Sequence, residues 1–148
     1  MNFPKRYVRD VGTLFKDSLK QKQFYDYLLE KGTEFNSLSK SKDDPEIAKE
    51  CVAKAPKECF YNAQRCALDT SAEYYEGFGV CNGVVPTEHG WLVKEGKVYD
   101  PTWERMCKTT EYFGIEIPKD EVRKSWVESG MARQLLWEKI HSEIKDSR

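Results

Sequence analysis

The sequence predicts an α+β domain in which helices flank a small antiparallel sheet. In the first and last parts of the chain, apolar residues recur at helical spacing. Between residues 74 and 117 the period changes to the alternation that is typical of strands, interrupted by an Asn-Gly and a Glu-Gly pair that favour tight turns. Because helices and strands are grouped along the chain instead of alternating, the α+β class is favoured.

The size and charge of the chain limit the kinds of protein it can be. With 148 residues it is close to the usual length of one domain, so we expect residues 1–148 to share a single core. The charge is balanced, with 24 Lys and Arg against 25 Asp and Glu, which argues against nucleic acid as a partner. No apolar run is long enough for a membrane span or a signal peptide, so we expect a cytoplasmic protein without membrane association.

The N-terminal part, residues 1–55, is predicted to be helical. Apolar residues at helical spacing indicate a helix over residues 17–34, and the polar segment 36–42 reads as a loop. Asp44 then provides an acidic cap directly before a proline, which predicts a short helix over residues 45–54.

The middle part, residues 56–103, is predicted to contain one helix and most of the sheet. Pro56 starts a helix that includes Cys59 and ends near residues 69–70. A strand over residues 74–81 follows and ends at the Asn-Gly turn. Two further strands, residues 88–94 and 97–99, are expected to form a hairpin through Glu95 and Gly96.

The C-terminal part, residues 104–148, is predicted to return to helix. An extended segment over residues 112–117 is closed by Pro118. Helices are then expected over residues 122–128 and 131–144.

Cys59 is the candidate nucleophile because it lies at a predicted helix start. A thiolate at that position faces unpaired backbone N–H groups and the positive end of the helix dipole, both of which stabilise its charge. The same N–H groups can stabilise the oxyanion of a tetrahedral intermediate.

His89 and Asp100 are the candidate partners of Cys59. An imidazole titrates near neutral pH, so His89 can take a proton from the thiol and later protonate a leaving group. Asp100 ends the strand that pairs with the strand of His89. Asp100 can therefore reach the ring nitrogen that faces away from the thiol, fix the tautomer and stabilise the imidazolium.

These residues resemble the transglutaminase-like branch of the papain fold. The shared pattern is a cysteine that opens a helix, then His89-Gly90-Trp91 on one strand, then Asp100-Pro101-Thr102 on the next, over residues 57–103. Papain has Asn as the third group, so Asp100 favours the transglutaminase-like branch. Lys57 and Glu58 stand where that family often has glycine. The resemblance implies a papain-like core, with the nucleophile helix packed on a small antiparallel sheet, and a Cys-His-Asp triad that needs no cofactor.

Four other residues are candidates for substrate binding. Asn62 lies one turn beyond Cys59 and either faces the cleft or caps the sheet. Tyr74 and Glu76 share a strand face that either lines a groove or faces solvent. Trp91 shares the strand face of His89 and either walls the active site or belongs to the core.

The five cysteines are an odd number and lack the short paired spacings of a disulfide scaffold or a zinc site. We therefore expect reduced thiols, as in the cytoplasm. We expect the four other than Cys59 to be buried and inert; they are Cys51, Cys66, Cys81 and Cys107. The spacing of Cys59, His89 and Asp100 suits no common zinc motif, so no metal is expected.

The sequence thus predicts a cysteine-dependent acyl-transfer enzyme: a hydrolase, deamidase or peptidase-like protein acting on a protein, peptide or small amide. Hydrolysis or deamidation is favoured over cross-linking, because a short chain offers little surface for two large substrates. The alternative is a non-catalytic module on the same fold that binds a ligand or a protein. A third interpretation is an effector of a phage or pathogen that deamidates a host protein.

Overall fold

The computed structural model describes residues 1–51 and 58–146. Over these residues the chain forms six α-helices and a curled five-stranded antiparallel sheet, which confirms the predicted α+β class. The predicted helix start at Pro56, and the predicted end of the preceding helix at residues 52–54, lie outside the described residues.

The sheet has the strand order β1-β5-β2-β3-β4, and every neighbouring pair is antiparallel. The first and last of the three predicted parts of the chain each contribute a strand, β1 and β5, so the sheet joins all three. The strands are β1 Thr33–Phe35, β2 Glu73–Cys81, β3 Thr87–Lys94, β4 Lys97–Tyr99 and β5 Thr110–Ile117.

The helices pack on one face of this sheet. Among the described residues, no helix is both long and apolar enough to cross a membrane. A short 3-10 helix, Ser41–Asp43, precedes the third α-helix. The α-helices are α1 Phe3–Gly12, α2 Leu19–Lys31, α3 Pro45–Glu50, α4 Cys59–Asp69, α5 Lys119–Ser129 and α6 Leu136–Asp146.

One α-helix, one strand and the short 3-10 helix were not predicted. Helix α1 is started by Asn2, whose side chain accepts a hydrogen bond from the backbone N–H of Lys5 at 3.1 Å. Strand β1 lies where the tail of a helix was expected. The helix ends early because Gly32 is extended, and a Cβ at Gly32 would collide with the ring of Phe113 on β5. Pairing with β5 therefore decides the structure of this segment.

The two largest clusters of the hydrophobic core lie on the same face of the sheet, and a third cluster, around Trp91, lies on the other face. One cluster joins α3, α4 and α5 to the sheet and includes Ile47, Ala67 and Leu92, and another joins α1, α2 and α6 through Leu28 and Phe113. Burying each large side chain contributes about 1.5–3 kcal/mol, which holds the helices in place.

The predicted turns between strands are confirmed. Glu95 and Gly96 have φ angles of 53° and 76°, so both central residues of the hairpin are left-handed, as a two-residue turn of the primed type requires. This hairpin pairs Leu92 with Tyr99. The chain therefore returns Asp100 to the strand that carries His89.

Candidate active site

Cys59 is the first residue of α4 and its side chain is partly exposed. The first hydrogen bond within the helix runs from the N–H of Asn62 to the carbonyl of Glu58, at 2.9 Å. The N–H groups of residues 59–61 precede it, so they cannot pair within the helix and lie at the positive end of its dipole. The predicted position of Cys59 at a helix start is confirmed.

A glycine next to His89 lets α4 approach the sheet. A Cβ at Gly90 would lie 2.8 Å from the hydroxyl oxygen of Tyr74 and 3.2 Å from a ring carbon of Phe60, the residue after Cys59. Because Gly90 has no side chain, the start of α4 packs directly over β3. This brings Cys59 to the strand that carries His89.

His89 is buried and joined to Asp100. Its Nε2 lies 2.6 Å from Oδ2 of Asp100, and both residues are only 1% exposed. Burial alone would lower the pKa of His89. The Asp100 carboxylate, and a smaller contribution from the hydrogen bond and charge of Cys59, outweigh burial and raise that pKa to about 9. The imidazole is therefore protonated at neutral pH, and since Nε2 is occupied by Asp100, its other nitrogen is left for the thiol.

The Asp100 carboxylate is held in one orientation by four hydrogen bonds. Oδ2 accepts from His89 and from the hydroxyl of Tyr112 at 2.9 Å. Oδ1 accepts from the backbone N–H groups of Thr102, at 3.2 Å, and Trp103, at 3.1 Å. A carboxylate fixed in this way holds the imidazole in one tautomer and one direction.

Trp103 covers one face of the His89 ring. The two ring centroids are 3.7 Å apart and the planes are inclined by only 12°. No role in the site was predicted for Trp103 or for Tyr112. Trp103 directly follows the Asp100-Pro101-Thr102 motif, which is a local signal that could have identified it. The contact of Tyr112 with Asp100 depends on strand pairing and leaves no local pattern.

Asn62 is buried next to the site and does not face an open cleft. Its Nδ2 donates a hydrogen bond of 3.1 Å to Oγ1 of Thr102. This bond ties the nucleophile helix to the turn that follows Asp100, so its contacts with described residues are those of a positioning group.

Tyr74 and Glu76 lie in the interior, neither in a groove nor in solvent as was predicted. The Tyr74 hydroxyl donates to Glu76 at 2.7 Å and accepts from Nε2 of Gln64 at 3.1 Å. Glu76 also accepts from the N–H groups of Leu135 and Leu136 at 2.9–3.0 Å, so it caps the start of α6. Strand alternation placed the two residues on one face correctly. It could not show that a helix start covers that face.

Trp91 is fully buried and packs with the core, which was one of its two predicted positions. Its ring centroid lies 4.9 Å from that of Tyr112 and 6.4 Å from that of His89. The indole N–H has no hydrogen-bond partner among the described residues. Trp91 therefore packs beneath the rings of His89 and Tyr112 and does not line an open cleft.

The expectation of five reduced cysteines is wrong. Cys51 is bridged to Cys66, and Cys81 is bridged to Cys107, with Cα–Cα distances of 5.1 Å and 5.4 Å. Cys59 is the free cysteine. The partners are 15 and 26 residues apart, so a search for short paired spacings could not find them. Reduced thiols were one of the two grounds for predicting the cytoplasm, and that ground is removed.

A cavity of about 640 Å³ adjoins the turn after Asp100. Thr102 and Cys51 contribute to its wall, and three cations lie around it, Lys40, Lys42 and Arg105. Its size falls within the range of small-molecule sites. Thr102 links this cavity to the site, since it also bonds Asn62 on the nucleophile helix.

Comparison with models of protein families, with curated proteins and with solved structures finds no match to this chain. The described residues contain no group of three or more His, Cys, Asp or Glu side chains arranged to bind a metal ion.

Proposed function

We propose that this protein is a cysteine-dependent acyl-transfer enzyme with a transglutaminase-like core. The observation that carries the proposal is the buried pair of His89 and Asp100, 2.6 Å apart, beside a partly exposed thiol at a helix start. A buried histidine that keeps its proton at neutral pH is poised to act as a general acid.

The chemistry follows from these positions. The Cys59 thiolate attacks the carbonyl carbon of an amide, and the N–H groups at the start of α4 stabilise the oxyanion. The His89 imidazolium gives its proton to the leaving amine as the C–N bond breaks, which leaves a thioester on Cys59. His89 then accepts a proton from a water molecule that attacks the thioester. The acyl group leaves as a carboxylic acid, and Cys59 is regenerated.

Asp100 acts through His89. Three hydrogen bonds fix its carboxylate, the fourth joins it to the imidazole, and its charge stabilises the imidazolium. Water is the acceptor that we favour over a second protein, because a water molecule needs no binding surface of its own. The proposed substrates are therefore amides of a protein, a peptide or a small molecule, which are hydrolysed or deamidated.

Alkylation by iodoacetamide at neutral pH tests the nucleophile. We expect Cys59 in the folded protein to react faster than Cys59 in the protein unfolded by urea, both without reductant so that the disulfides stay closed. His89→Ala should lower the rate by about 100-fold, the usual scale of acid–base assistance. His141→Ala is the matched control and should leave the rate unchanged. Equal rates in the folded and unfolded protein would refute the proposal.

The second candidate is a binding module on the same fold. It is favoured by the cavity next to Thr102, since Cys59 is not among the described residues that line it. A panel of amide, isopeptide and glutamine substrates, assayed with the wild type and with Cys59→Ala, separates the two functions. Turnover by the wild type alone supports the enzyme. Equal binding by both proteins without turnover supports the module.

A further inference from the structure

We propose that Trp103 is a positioning residue for His89 and that the Cys81–Cys107 disulfide holds Trp103 in place. This inference rests on the proposed function, since it concerns the acid–base group of the same site.

The stacked indole of Trp103 restrains the plane of the His89 ring. The imidazole is bonded to Asp100 at Nε2 and to Cys59, and hydrogen bonds at the edge of a ring leave it free to tilt about the line that joins its two nitrogens. The indole of Trp103 lies against the ring face at a centroid distance of 3.7 Å. A tilt of the imidazole would drive it into the indole. The hydrogen bonds therefore set the direction of the ring, and the stack sets its plane.

The indole of Trp103 occupies a slot beside Gly79 on β2. A Cβ at Gly79 would lie 2.8 Å from Cη2 and Cζ3 of Trp103 and 3.4 Å from the Cβ of His89. The indole thus fills the space between the His89 ring and the backbone of β2. Only a residue without a side chain at position 79 leaves this space open.

The turn that carries Trp103 is fixed by backbone hydrogen bonds and by a disulfide. The backbone N–H of Trp103 donates to Asp100, and its carbonyl accepts from the N–H of Cys107 at 3.0 Å. Cys107 is bridged to Cys81, two residues after Gly79 on the same face of β2. The disulfide therefore ties the end of the turn to the strand that forms the slot.

The test measures the rate of Cys59 alkylation by iodoacetamide at neutral pH, with the modified peptide identified by mass spectrometry. Trp103→Leu keeps apolar bulk but loses the flat face, and we expect it to slow alkylation by about tenfold or more, as small misplacements of reacting groups do. Trp103→Phe keeps a stacking face and should react within about threefold of the wild type. A space-filling role would make no such distinction. Trp137→Leu, on α6, is the matched control and should have no effect.

Two further variants disturb the contact between Trp103 and His89 without changing either residue. Gly79→Ala displaces the indole without deleting it, so we expect the same loss of rate as in Trp103→Leu. The loss should not increase when the two changes are combined, because both remove one contact. The double change Cys81→Ser and Cys107→Ser should slow alkylation in the wild-type background but not in Trp103→Leu. If Trp103→Leu shows no cooperative unfolding transition, and is therefore not properly folded, Gly79→Ala replaces it as the test.

The outcomes separate this inference from the proposed function. If wild-type Cys59 reacts no faster than Cys59 in His89→Ala, the proposed function fails, and this inference fails with it. If the wild type reacts faster than His89→Ala but Trp103→Leu equals the wild type, only this inference is overturned. Equal slowing by Trp103→Leu and Trp103→Phe would also overturn it.

Discussion

The chain has two histidines, and their surroundings move their pKa values in opposite directions. His89 is buried, which opposes its charge, but the Asp100 carboxylate prevails and raises its pKa to about 9. The pKa of His141 is lowered from 6.5, first by burial and then by the charge of Lys20. Two imidazole signals that titrate on either side of 6.5 are therefore expected in proton NMR spectra, and His141→Gln assigns them.

Asp100→Asn should lower the pKa of His89. The substitution keeps the volume of the side chain but removes the charge that stabilises the imidazolium, while burial still disfavours it. The same NMR titration measures the shift. A His89 signal that titrates near pH 9 in both proteins would show that Asp100 does not hold the proton on the ring.

Single residues were predictable from the sequence where a local pattern marks them. Cys59 opens a helix after a proline. Asp100 directly follows β4, which forms a hairpin with the strand of His89 through the explicit turn Glu95-Gly96. Tyr112 completes the same hydrogen-bond cluster, but from β5, which pairs with β2 and not with the strand of His89. Contacts of that kind depend on the order of strands in the sheet, which no local pattern contains.

At the scale of elements, a buried carboxylate joins β2 to α6. Glu76 caps the start of α6, and burial raises its pKa from 4.5 to about 7, even though hydrogen bonds from Tyr74, Leu135 and Leu136 lower it. Between these two values the unfolded chain loses its proton while the folded chain keeps it. The free energy of unfolding should therefore fall by about 3 kcal/mol as the pH rises from 4.5 through 7.

Urea unfolding at pH 5 and pH 8 measures this fall. Glu76→Gln cannot ionise, so we expect the variant to lose about half of the difference between the two pH values and to keep the part that His89 contributes. Glu128→Gln, at an exposed position of α5, is the matched control and should keep the whole difference. His89 adds a decrease of the same sign between 6.5 and about 9, since its folded pKa is also raised. A Glu76→Gln variant with the pH dependence of the wild type would contradict this account.

Helices and strands could be predicted where their own residues carry the pattern that determines them. The proline at the first position of α3 and the alternation in β2 gave the right type of structure, with ends shifted by a few residues. Strand β1 has three residues and exists because it pairs with β5, so its own sequence could not distinguish it from the end of α2. Propensity is a weak guide where tertiary pairing decides.

At the scale of the whole molecule, the two disulfides join distant parts of the described chain. Cys51–Cys66 ties the end of α3 to the nucleophile helix, and Cys81–Cys107 ties β2 to the turn after Asp100. The first bridge therefore holds the helix that carries Cys59, and the second holds the turn that follows Asp100. Disulfides in proteins persist mainly in oxidising compartments, so the two bridges favour an oxidising environment for folding.

The two disulfides should lower the number of reactive thiols and raise the free energy of unfolding. Unfolded in urea without reductant, the protein should show one thiol that reacts with a disulfide reagent, Cys59, and five after reduction. Replacing Cys51 and Cys66 by Ser should lower the free energy of unfolding by about 3 kcal/mol, because the bridge closes a loop of 15 residues.

Replacing Cys81 and Cys107 should cost slightly more, about 3.5 kcal/mol, because that loop has 26 residues. Urea unfolding without reductant measures both losses. Five reactive thiols in the unreduced protein, with no loss in either double variant, would show that the bridges do not form and would return the chain to the reduced state that its cysteine spacing predicts. One thiol and both losses would show that the two bridges form and that Cys59 alone is left to react.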